Sequence, residues 1–446
     1  MTAAHLWVFL PILLGMLTFL FQSARGLYRW GTLIALGLAF LAWFVPLDTP
    51  MRLAGISLKI SSTFELLGRS LVFDKQMNAV LVLLYGISAV WFYGLRSVPQ
   101  AREILPWGLL FNGLLVTLLT VRPFLYAAIV LEALGFLLVF LIRPPAKSVL
   151  RFLAHQTLAF PLLLLAASLG TEGTFFSDPQ RGPLALALLG VGLALSAGLF
   201  PFHTWMPLLG AELHPYLAAF LLWLLPFSTL LFLSGFIERF LVFAALRLPV
   251  MLQVSGMLMA LVGSGGMLVE RHWGRALGYA VMVETGYALL ALSLGDEGAS
   301  LMLASLLPRS LAFVLWGFAL SILYRRSAGL EQNVLEGMGH RLPFAAVALM
   351  LAILSVAGFP MLAAFPWRLS LWEGLSNHSL TLGFLFLLSL LGVFGHGLRT
   401  FHTLFSRPEG WRIEETLTEL ILLSLGTFGM ALLGLFPQMV GVLLGK

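Results

Sequence analysis

Long apolar runs separated by short polar connections follow one another through this chain. A helix needs about 20 mostly apolar residues to cross the hydrocarbon core of a bilayer. Runs near that length fall at residues 5–22, 29–46, 77–95, 105–121, 123–142, 152–170, 184–200, 215–236, 250–269, 277–294, 299–323, 343–364 (extended past a break to 376), 379–402 and 417–437. The pattern predicts an all-α polytopic membrane protein with about 14 transmembrane helices, numbered 1 to 14 in chain order.

The composition excludes several classes of protein. Hydrophobic residues make up 60% of the 446 residues and charged residues only 10%, against about 25% in soluble proteins. The chain has no cysteine, which excludes thiolate metal sites and iron–sulfur clusters, and its histidines never occur four residues apart. It contains no nucleotide-binding or nucleophile motif. The sequence therefore predicts no metal site, no cofactor and no catalytic residue in this chain.

The basic residues are scattered through short loops, so the formal net charge of +6 indicates membrane topology and not nucleic-acid binding. Lys and Arg are more frequent in the loops that follow odd-numbered helices, which predicts that those loops are cytoplasmic. Both termini would then lie on the outer face of the cell (inner) membrane. In the connection at 47–76, residues 56–60 and 71–74 alternate polar and apolar side chains, which predicts a small extramembrane β-hairpin.

Two of the predicted helices are interrupted by proline or glycine. Helix 7 contains Pro201 and Pro207, and helix 12 contains Gly358 and Pro360. Each proline removes a backbone donor, and broken backbone inside a bilayer is tolerated only where protein or a water-filled cavity satisfies it. The breaks lie five helices apart, an odd number, which predicts two inverted five-helix repeats, helices 4–8 and 9–13, with discontinuous helices 7 and 12. The alternative for the first break is an interfacial helix end anchored by Trp205.

The inverted repeats divide the chain into four parts. Residues 1–104 contain helices 1–3 and the hairpin, and residues 403–446 contain helix 14. The first repeat takes residues 105–236 and the second takes residues 237–402. Nothing is left over for a sizeable soluble domain.

Ionisable side chains inside the predicted helices are candidate functional residues. They are Glu132, His203, Glu284, Arg309, Arg368 and His396. Each costs at least ~2.5 kcal/mol at the centre of a membrane helix. Carboxylates and imidazoles can pass protons, whereas arginine stays charged and only biases its neighbours. If the repeats bring these helices together, the set forms a polar axis that supports a proton wire.

Plainer interpretations of these residues stay open. Glu132 could be the structural partner of an arginine, and a lone histidine such as His203 or His396 is more often a hydrogen-bonded structural residue than a relay. A carboxylate that faced lipid would carry the full desolvation cost without a partner. We therefore expect Glu132 to be buried, either at an interface with a neighbouring subunit or toward the polar axis.

The ordered set of motifs resembles the antiporter-like proton-translocating membrane subunits of complex I (types N, M and L), which are related to Mrp antiporter and membrane-bound hydrogenase subunits. Residues 201–207, P-F-H-T-W-M-P, resemble the broken helix 7 of that family. Residues 278–287 resemble its helix 10 motif and residues 358–365 its helix 12 motif. Glu132 falls at the position of its helix 5 glutamate. The resemblance covers essentially the whole chain.

The resemblance implies a fourteen-helix fold with two inverted half-channels, and proton translocation coupled to a redox module in neighbouring subunits. The implied partners are other membrane subunits, including homologous antiporter-like subunits, within the lipid bilayer. By spacing, Ser196 and Leu225 occupy the positions of the family's helix 7 and helix 8 lysines, and Arg309 and Arg368 those of its helix 11 and helix 12 lysines. Serine and leucine cannot alternate between charged and neutral states as lysine does.

The leading hypothesis is a membrane-arm subunit of a complex I-like (NADH:quinone oxidoreductase-type) assembly that conducts or translocates protons, with a degenerate first half-channel. The alternatives are a non-transporting structural spacer, or a subunit of an Mrp-type Na+/H+ antiporter, a group 4 membrane hydrogenase or an inorganic-carbon uptake complex. Any enzymatic activity belongs to the assembly. Because the second half keeps its charged residues, we expect more polar cavity volume around helices 10–13 than around helices 5–8.

Overall fold

Helices dominate the computed structural model, which describes residues 2–21, 26–53, 56–66, 68–74, 77–98, 102–142, 146–171, 181–239, 247–327, 329–406 and 410–443. Helices α1 to α18 span, in order, His5–Leu20, Leu27–Phe44, Met77–Gly94, Ile104–Thr120, Tyr126–Leu141, Lys147–Thr171, Arg181–Ser196, Trp205–Glu212, Pro215–Arg239, Leu248–Val269, Trp273–Leu292, Asp296–Ala304, Leu306–Ser327, Pro343–Val356, Phe365–His378, Leu380–Phe405, Leu417–Leu435 and Gln438–Leu443. Strands β1 to β5 span Pro50–Leu53, Ile56–Lys59, Thr63–Leu66, Arg69–Val72 and Val121–Arg122.

Within these described ranges, 8 segments are long and apolar enough to cross a membrane. They are α2, α3, α6, α9, α10, the joined α12 and α13, α16 and α17. Shorter apolar helices accompany them, namely α1, α4, α5, α7 and α14. The prediction of an all-α polytopic membrane protein is confirmed at this level.

Helix α11 lies at the centre of the bundle. It is buried along nearly its whole length and packs against α8, α9 and α10. Protein surrounds it in place of lipid, so it does not need an apolar surface, and its sequence accordingly includes Glu284 and several glycines. This helix is the scaffold for the buried polar groups of the molecule.

The segment between α2 and α3 forms two β-hairpins, so the prediction of a single hairpin from residues 56–60 and 71–74 was wrong. Strand β1 pairs with β2, and β3 pairs with β4, both antiparallel, while β5 adds to the other side of β4. Each of the first four strands thus pairs with its neighbour in sequence. Neighbouring strands close a shorter loop and lose less chain entropy.

The two predicted breaks are present and share one backbone geometry. Helix α7 ends at Ser196 and α14 ends at Val356. Two residues beyond each end, Gly198 and Gly358 adopt positive φ angles of 63° and 71°. In both breaks the glycine N–H donates three residues back and the next N–H donates five residues back, at 3.3 and 2.8 Å in the first break and 2.9 and 2.9 Å in the second. This is the Schellman ending, which requires a left-handed residue and therefore favours glycine.

Pro201 and Pro360 lie within these breaks, but Pro207, predicted to break a helix, does not. It lies in the first turn of α8, where backbone N–H groups have no partner inside the helix, so its missing donor costs nothing. Another interruption, at Ser305, separates α12 from α13. Pro308 accounts for it, because it has no N–H to donate to the carbonyl oxygen of Ala304.

Glycines bring α8 and α11 into backbone contact. A Cβ added to Gly210 would lie 2.0 Å from the Gly274 carbonyl oxygen, and one added to Gly274 would lie 2.1 Å from that of Gly210. One turn further on, a Cβ on Gly278 would lie 2.5 Å from the carbonyl oxygen of Met206. Any side chain here would force the helices apart. The contact joins the first broken helix directly to the helix that carries Glu284.

Candidate functional site

Glu284 of α11 and Arg368 of α15 form a buried ion pair across the second break. The two residues are only 3% and 5% exposed. Gly358 makes room for the pair, since a Cβ there would lie 2.9 Å from the Arg368 Cγ. The Nε of Arg368 also donates to the carbonyl oxygen of Val356, the last residue of α14, at 3.4 Å. The break thus supplies both the space and a free carbonyl oxygen for the arginine.

Tyr287 and Ser389 extend this pair toward α16. The Arg368 guanidinium lies 4.4 Å from the centre of the Tyr287 ring, a cation–π contact. The Tyr287 hydroxyl and the Ser389 hydroxyl lie 2.9 Å apart and share a hydrogen bond. Neither residue was predicted as part of the site. Tyr287 lies one helical turn after Glu284, and that spacing was the available signal.

Arg309 of α13 brings a second positive charge to the pair. It is 4% exposed, interacts electrostatically with Glu284 and Arg368, and lies 5.9 Å from the centre of the Phe313 ring. Its Nε and Nη2 find no hydrogen-bond acceptor among the described residues. A second guanidinium group thus lies within electrostatic range of the carboxylate that Arg368 binds. Such unmatched buried donors call for water, because a buried charge without hydrogen bonds is costly.

His396 of α16 lies in a separate contact. It is 1% exposed and stacks on Trp316 at 6.4 Å between ring centres. Its Nδ1 lies 3.1 Å from the Nη2 of Arg399. Arg399 was not predicted, although it follows His396 by three residues and so shares its helix face.

Glu132 lies between α5 and α6 and is 8% exposed. Its Oε1 accepts a hydrogen bond from the Thr157 hydroxyl at 3.1 Å, while its Oε2 is buried without a partner among the residues described. No ion pair with an arginine is formed there within that part of the chain. The structural-pair interpretation therefore has no support from these contacts.

The first break is filled by aromatic and apolar groups. A Cβ on Gly198 would lie 2.5 Å from the Trp205 Nε1, so the indole occupies the place that Arg368 takes in the second break. His203 lies in a single 3-10 turn with its ring stacked on Phe200 at 5.6 Å. Its Nδ1 has no partner in the described residues. The break itself, residues 197–204, contains this histidine but no lysine or arginine.

The two lysine-replaced positions are both buried. The Ser196 hydroxyl donates to the Leu193 carbonyl oxygen at 3.4 Å, one turn back in α7. Leu225 lies in the apolar interior of α9. Neither residue can exchange a proton with Glu132 or with the second-half groups. The structure thus brings Glu284, Arg309 and Arg368 together, and within the described residues no hydrogen bond or ion pair joins the remaining predicted residues to them.

The cavities of the molecule differ in size and lining. A cavity of ≈ 20 Å³ lies between α7, α9, α10 and α11 and is lined mainly by apolar side chains. A cavity of ≈ 1070 Å³ opens beside the α10–α11 connection and is lined by charged and amide side chains. Its lining includes Glu270, Arg271, His272, Arg275, Glu331 and Arg399. A third cavity, of ≈ 380 Å³, lies beside α9 in the first half and is also lined by charged side chains, among them Asp74, Glu238 and Arg239. More polar cavity volume around helices 10–13 than around helices 5–8 therefore stays a prediction.

On the same face of the molecule, His214 connects α8 to α9 and is partly buried beside Tyr324, with ring centres 5.9 Å apart. Neither ring nitrogen has a hydrogen-bond partner among the described residues. Burial, and then the charge of Arg325, lower the pKa of His214 to about 4. Next to it, Arg325 and Arg326 both pair with Glu419 and connect α13 to α17.

No group of three His, Cys, Asp or Glu side chains in the described ranges could hold a metal ion. The site consists of two arginines and one carboxylate, with a tyrosine and a serine hydroxyl beside them. Such groups hold charge, order water and exchange protons at the carboxylate.

Two NADH-quinone oxidoreductase subunits are similar in sequence to this chain along much or nearly all of its length. Subunit N of the NADH-quinone oxidoreductase of Geobacter metallireducens is 27% identical over 476 aligned residues, which cover 98% of this chain and 97% of that protein. Subunit 14 of the NADH-quinone oxidoreductase of Thermus thermophilus is 29% identical over 333 residues, 70% of this chain and 73% of that protein.

Solved structures share the fold. A chain of the archaeal membrane-bound sulfane sulfur reductase superposes with a TM-score of 0.82 at 17% identity, covering 99% of this chain and 96% of that one. A chain of the Mrp complex from Dietzia sp. gives a TM-score of 0.81 at 17% identity, with the same coverage. A chain of respiratory complex I from Thermus thermophilus gives 0.71 at 20% identity, covering 98% of this chain and 96% of that one.

Residues 148–394, which hold both breaks and the Glu284–Arg368 pair, match the sequence profile of the NADH:quinone oxidoreductase/Mrp antiporter transmembrane family. That stretch is more than half of the chain. The motif resemblance, the named relatives and the shared fold agree with this match. The chain belongs to the NADH:quinone oxidoreductase/Mrp antiporter transmembrane family.

Proposed function

We propose that this chain is a membrane-arm subunit of an NADH:quinone oxidoreductase-type assembly and that it carries protons along a buried polar axis. Relatives named as NADH-quinone oxidoreductase subunits, similar over almost the whole chain, support the assembly. The Glu284–Arg368 pair with Arg309 beside it supports the transport. Intramembrane charges are costly, and they characteristically line ion and proton pathways.

The proposed architecture has fourteen transmembrane helices in two inverted repeats, residues 105–236 and 237–402. The matching Schellman endings at Gly198 and Gly358 support the repeat, since both lie in the fourth helix of their five-helix unit. In the two repeats, Glu132 of helix 5 and Glu284 of helix 10 belong to corresponding helices. Both termini lie on the outer face, because the basic residues favour the loops after odd-numbered helices.

The ion pair can act as a two-state element. When the Glu284 carboxylate is ionised, it holds the Arg368 guanidinium across the break. A proton that reaches the carboxylate neutralises it, and the guanidinium, which stays charged, then loses its anionic partner. Arg309, whose Nε and Nη2 already lack acceptors among the described residues, raises the cost of losing that negative charge. Proton uptake at Glu284 and movement of Arg368 are thereby linked.

The test is proton transport by the assembled complex in sealed membrane vesicles. Glu284→Gln keeps the side-chain volume but cannot ionise, so we expect fewer protons transported per electron while the complex stays assembled. Ser196→Ala is the matched control, because that hydroxyl bonds only within its own helix, and it should leave the ratio unchanged. An unchanged ratio in Glu284→Gln would refute the proposed transport.

A structural spacer is the second candidate, and the first half favours it. Ser196 and Leu225 stand where lysines are expected, and Trp205 fills the first break. The same vesicle experiment separates the two functions. If the chain is a spacer, the complex requires it for assembly. Complexes that contain Glu284 or Arg368 variants would then pump normally once they are assembled.

The solved chains of Mrp and sulfane sulfur reductase complexes have higher TM-scores than the complex I chain, 0.81 and 0.82 against 0.71. An antiporter or a different oxidoreductase is therefore the alternative assembly. Purification of the complex through a tag on this chain decides between them. Quinone-site and iron–sulfur subunits that assemble stoichiometrically with it would identify the oxidoreductase, and their absence would refute it.

A further inference from the structure

The ≈ 1070 Å³ cavity reaches the buried interior at one arginine. Arg399 lines the cavity, and its guanidinium also contacts the buried His396. The side chain therefore lies between an aqueous space and an imidazole that is only 1% exposed. The cavity also holds acidic side chains, from Glu270, Glu331 and Glu336.

Arg399 is held in this position by the end of α10. It donates to the carbonyl oxygens of Leu268 at 2.6 Å and Met267 at 3.1 Å, and to that of Glu270. These carbonyl groups belong to the last turn of the helix and the residue after it, where intrahelical donors run out. A positive charge is also favoured there by the helix dipole. One side chain thus closes the helix end and covers His396.

The contact between Arg399 and His396 fixes how protons can bind. Arginine only donates hydrogen bonds, so its 3.1 Å contact requires an unprotonated Nδ1 on His396. A proton arriving at Nδ1 would face the guanidinium. His396 can therefore be doubly protonated only after Arg399 leaves this position.

Beyond His396 the interior is lined by aromatic side chains. The imidazole stacks on Trp316, which is packed 6.4 Å from Phe313, the ring beside Arg309. On α16 the buried Val393 separates His396 from Ser389 and the Glu284–Arg368 site. Water from the cavity thus meets Arg399 first, then His396, and only then the aromatic column.

We propose that Arg399 is a positioning residue that separates His396 from the aqueous cavity, and that His396 exchanges protons with the cavity when Arg399 turns toward the acidic cavity wall. This inference rests on the proposed transport function and assigns its access route on the second half. The route opens on the face that carries the α10–α11 connection, which the charge distribution makes cytoplasmic.

The test uses the reaction of histidines with diethylpyrocarbonate in the assembled complex, resolved residue by residue with peptide mass spectrometry. His402, exposed on the same helix, is the internal standard. In the unmodified protein His396 should react far more slowly than His402. Arg399→Leu should raise its relative rate by about tenfold or more, and Arg399→Lys, which keeps a charged donor, should restore most of the protection. Arg29→Leu, an exposed arginine of α2, should change nothing.

Two results would overturn the inference: His396 reacting as fast as His402 in the unmodified protein, or unchanged protection in Arg399→Leu. If Arg399→Leu does not assemble, Arg399→Gln takes its place with the same expected rise. These rates do not depend on transport. A normal proton-to-electron ratio in Glu284→Gln would refute the proposed function, whereas the labelling rates decide the role of Arg399 by themselves.

Discussion

Among single residues, Glu284 and Arg368 of the buried ion pair are the ones whose substitution should change stability and transport the most. Both side chains are desolvated, so the attraction between them offsets a cost that is already present in the fold. Removing Glu284 leaves two buried guanidinium groups without an anion, and removing Arg368 leaves the carboxylate with only Arg309 nearby. Removing both leaves only Arg309 to be accommodated. The pair should therefore behave as one unit in stability as well as in transport.

We predict that Arg368→Met destabilises the protein by about 3–5 kcal/mol, the usual cost of breaking a buried ion pair. Adding Glu284→Gln should recover part of that loss, because it removes the unmatched carboxylate charge but also takes the nearby anion away from Arg309. Thermal unfolding of the purified complex, measured for both single variants and the double variant, provides the cycle. Additive losses would show that the two residues do not interact in the folded protein.

His214 provides a pH-dependent term outside the membrane-spanning helices. Its folded-state pKa of about 4 lies below the ordinary value of 6.5, so folding favours the neutral ring. That contribution is fully present above pH 6.5 and is lost as the pH falls from 6.5 toward 4. We expect His214→Gln to flatten the decline of thermal stability in this window, whereas His402→Gln, an exposed control, should keep it.

The elements show why some features were predictable and others were not. Both breaks depend on local backbone preferences, so the prolines of helix 7 and Gly358 with Pro360 of helix 12 predicted them correctly. Gly198, the left-handed residue of the first break, was not singled out from the sequence. Pro207 was misread because the effect of a proline depends on its position within a helix, and the helix start at Trp205 was not evident. The pairing of Glu284 with Arg368 joins positions 84 residues apart. Only the packing of α11 against the second break determines it.

At the element scale, we predict different outcomes for one substitution in the two breaks. Gly358→Ala places a methyl group on a residue at φ 71° and 2.9 Å from the Arg368 Cγ. It should cost about 1–3 kcal/mol of stability and also lower proton transport, because Arg368 must move. Gly198→Ala, at φ 63° and 2.5 Å from the Trp205 Nε1, should cost similar stability without lowering transport in the assembled protein. Thermal unfolding and the number of protons transported per electron in membrane vesicles, measured on both variants, test this contrast.

For the whole molecule, the absence of cysteine allows the topology to be measured cleanly. Thr63 on β3 and Gly410 before α17 are both exposed, and a Cβ on Gly410 meets no atom within 4 Å. We predict that Thr63→Cys reacts with a membrane-impermeant maleimide added to intact cells. Gly410→Cys should react only after the membrane is opened. The reverse pattern would place both termini in the cytoplasm.

The direct backbone contact of Gly210 with Gly274 couples the position of α8, in the first half, to that of α11, in the second half. Interfaces built from side chains absorb small displacements by changing rotamers. Two backbones so close that a Cβ on Gly210 would lie 2.0 Å from the Gly274 carbonyl oxygen have no such freedom. A displacement of α8 would therefore also displace α11 and the carboxyl group of Glu284, which α11 carries. A neighbouring subunit that displaces the first half would thereby move Glu284. No proton would need to pass Ser196 and Leu225, the positions where lysines are missing.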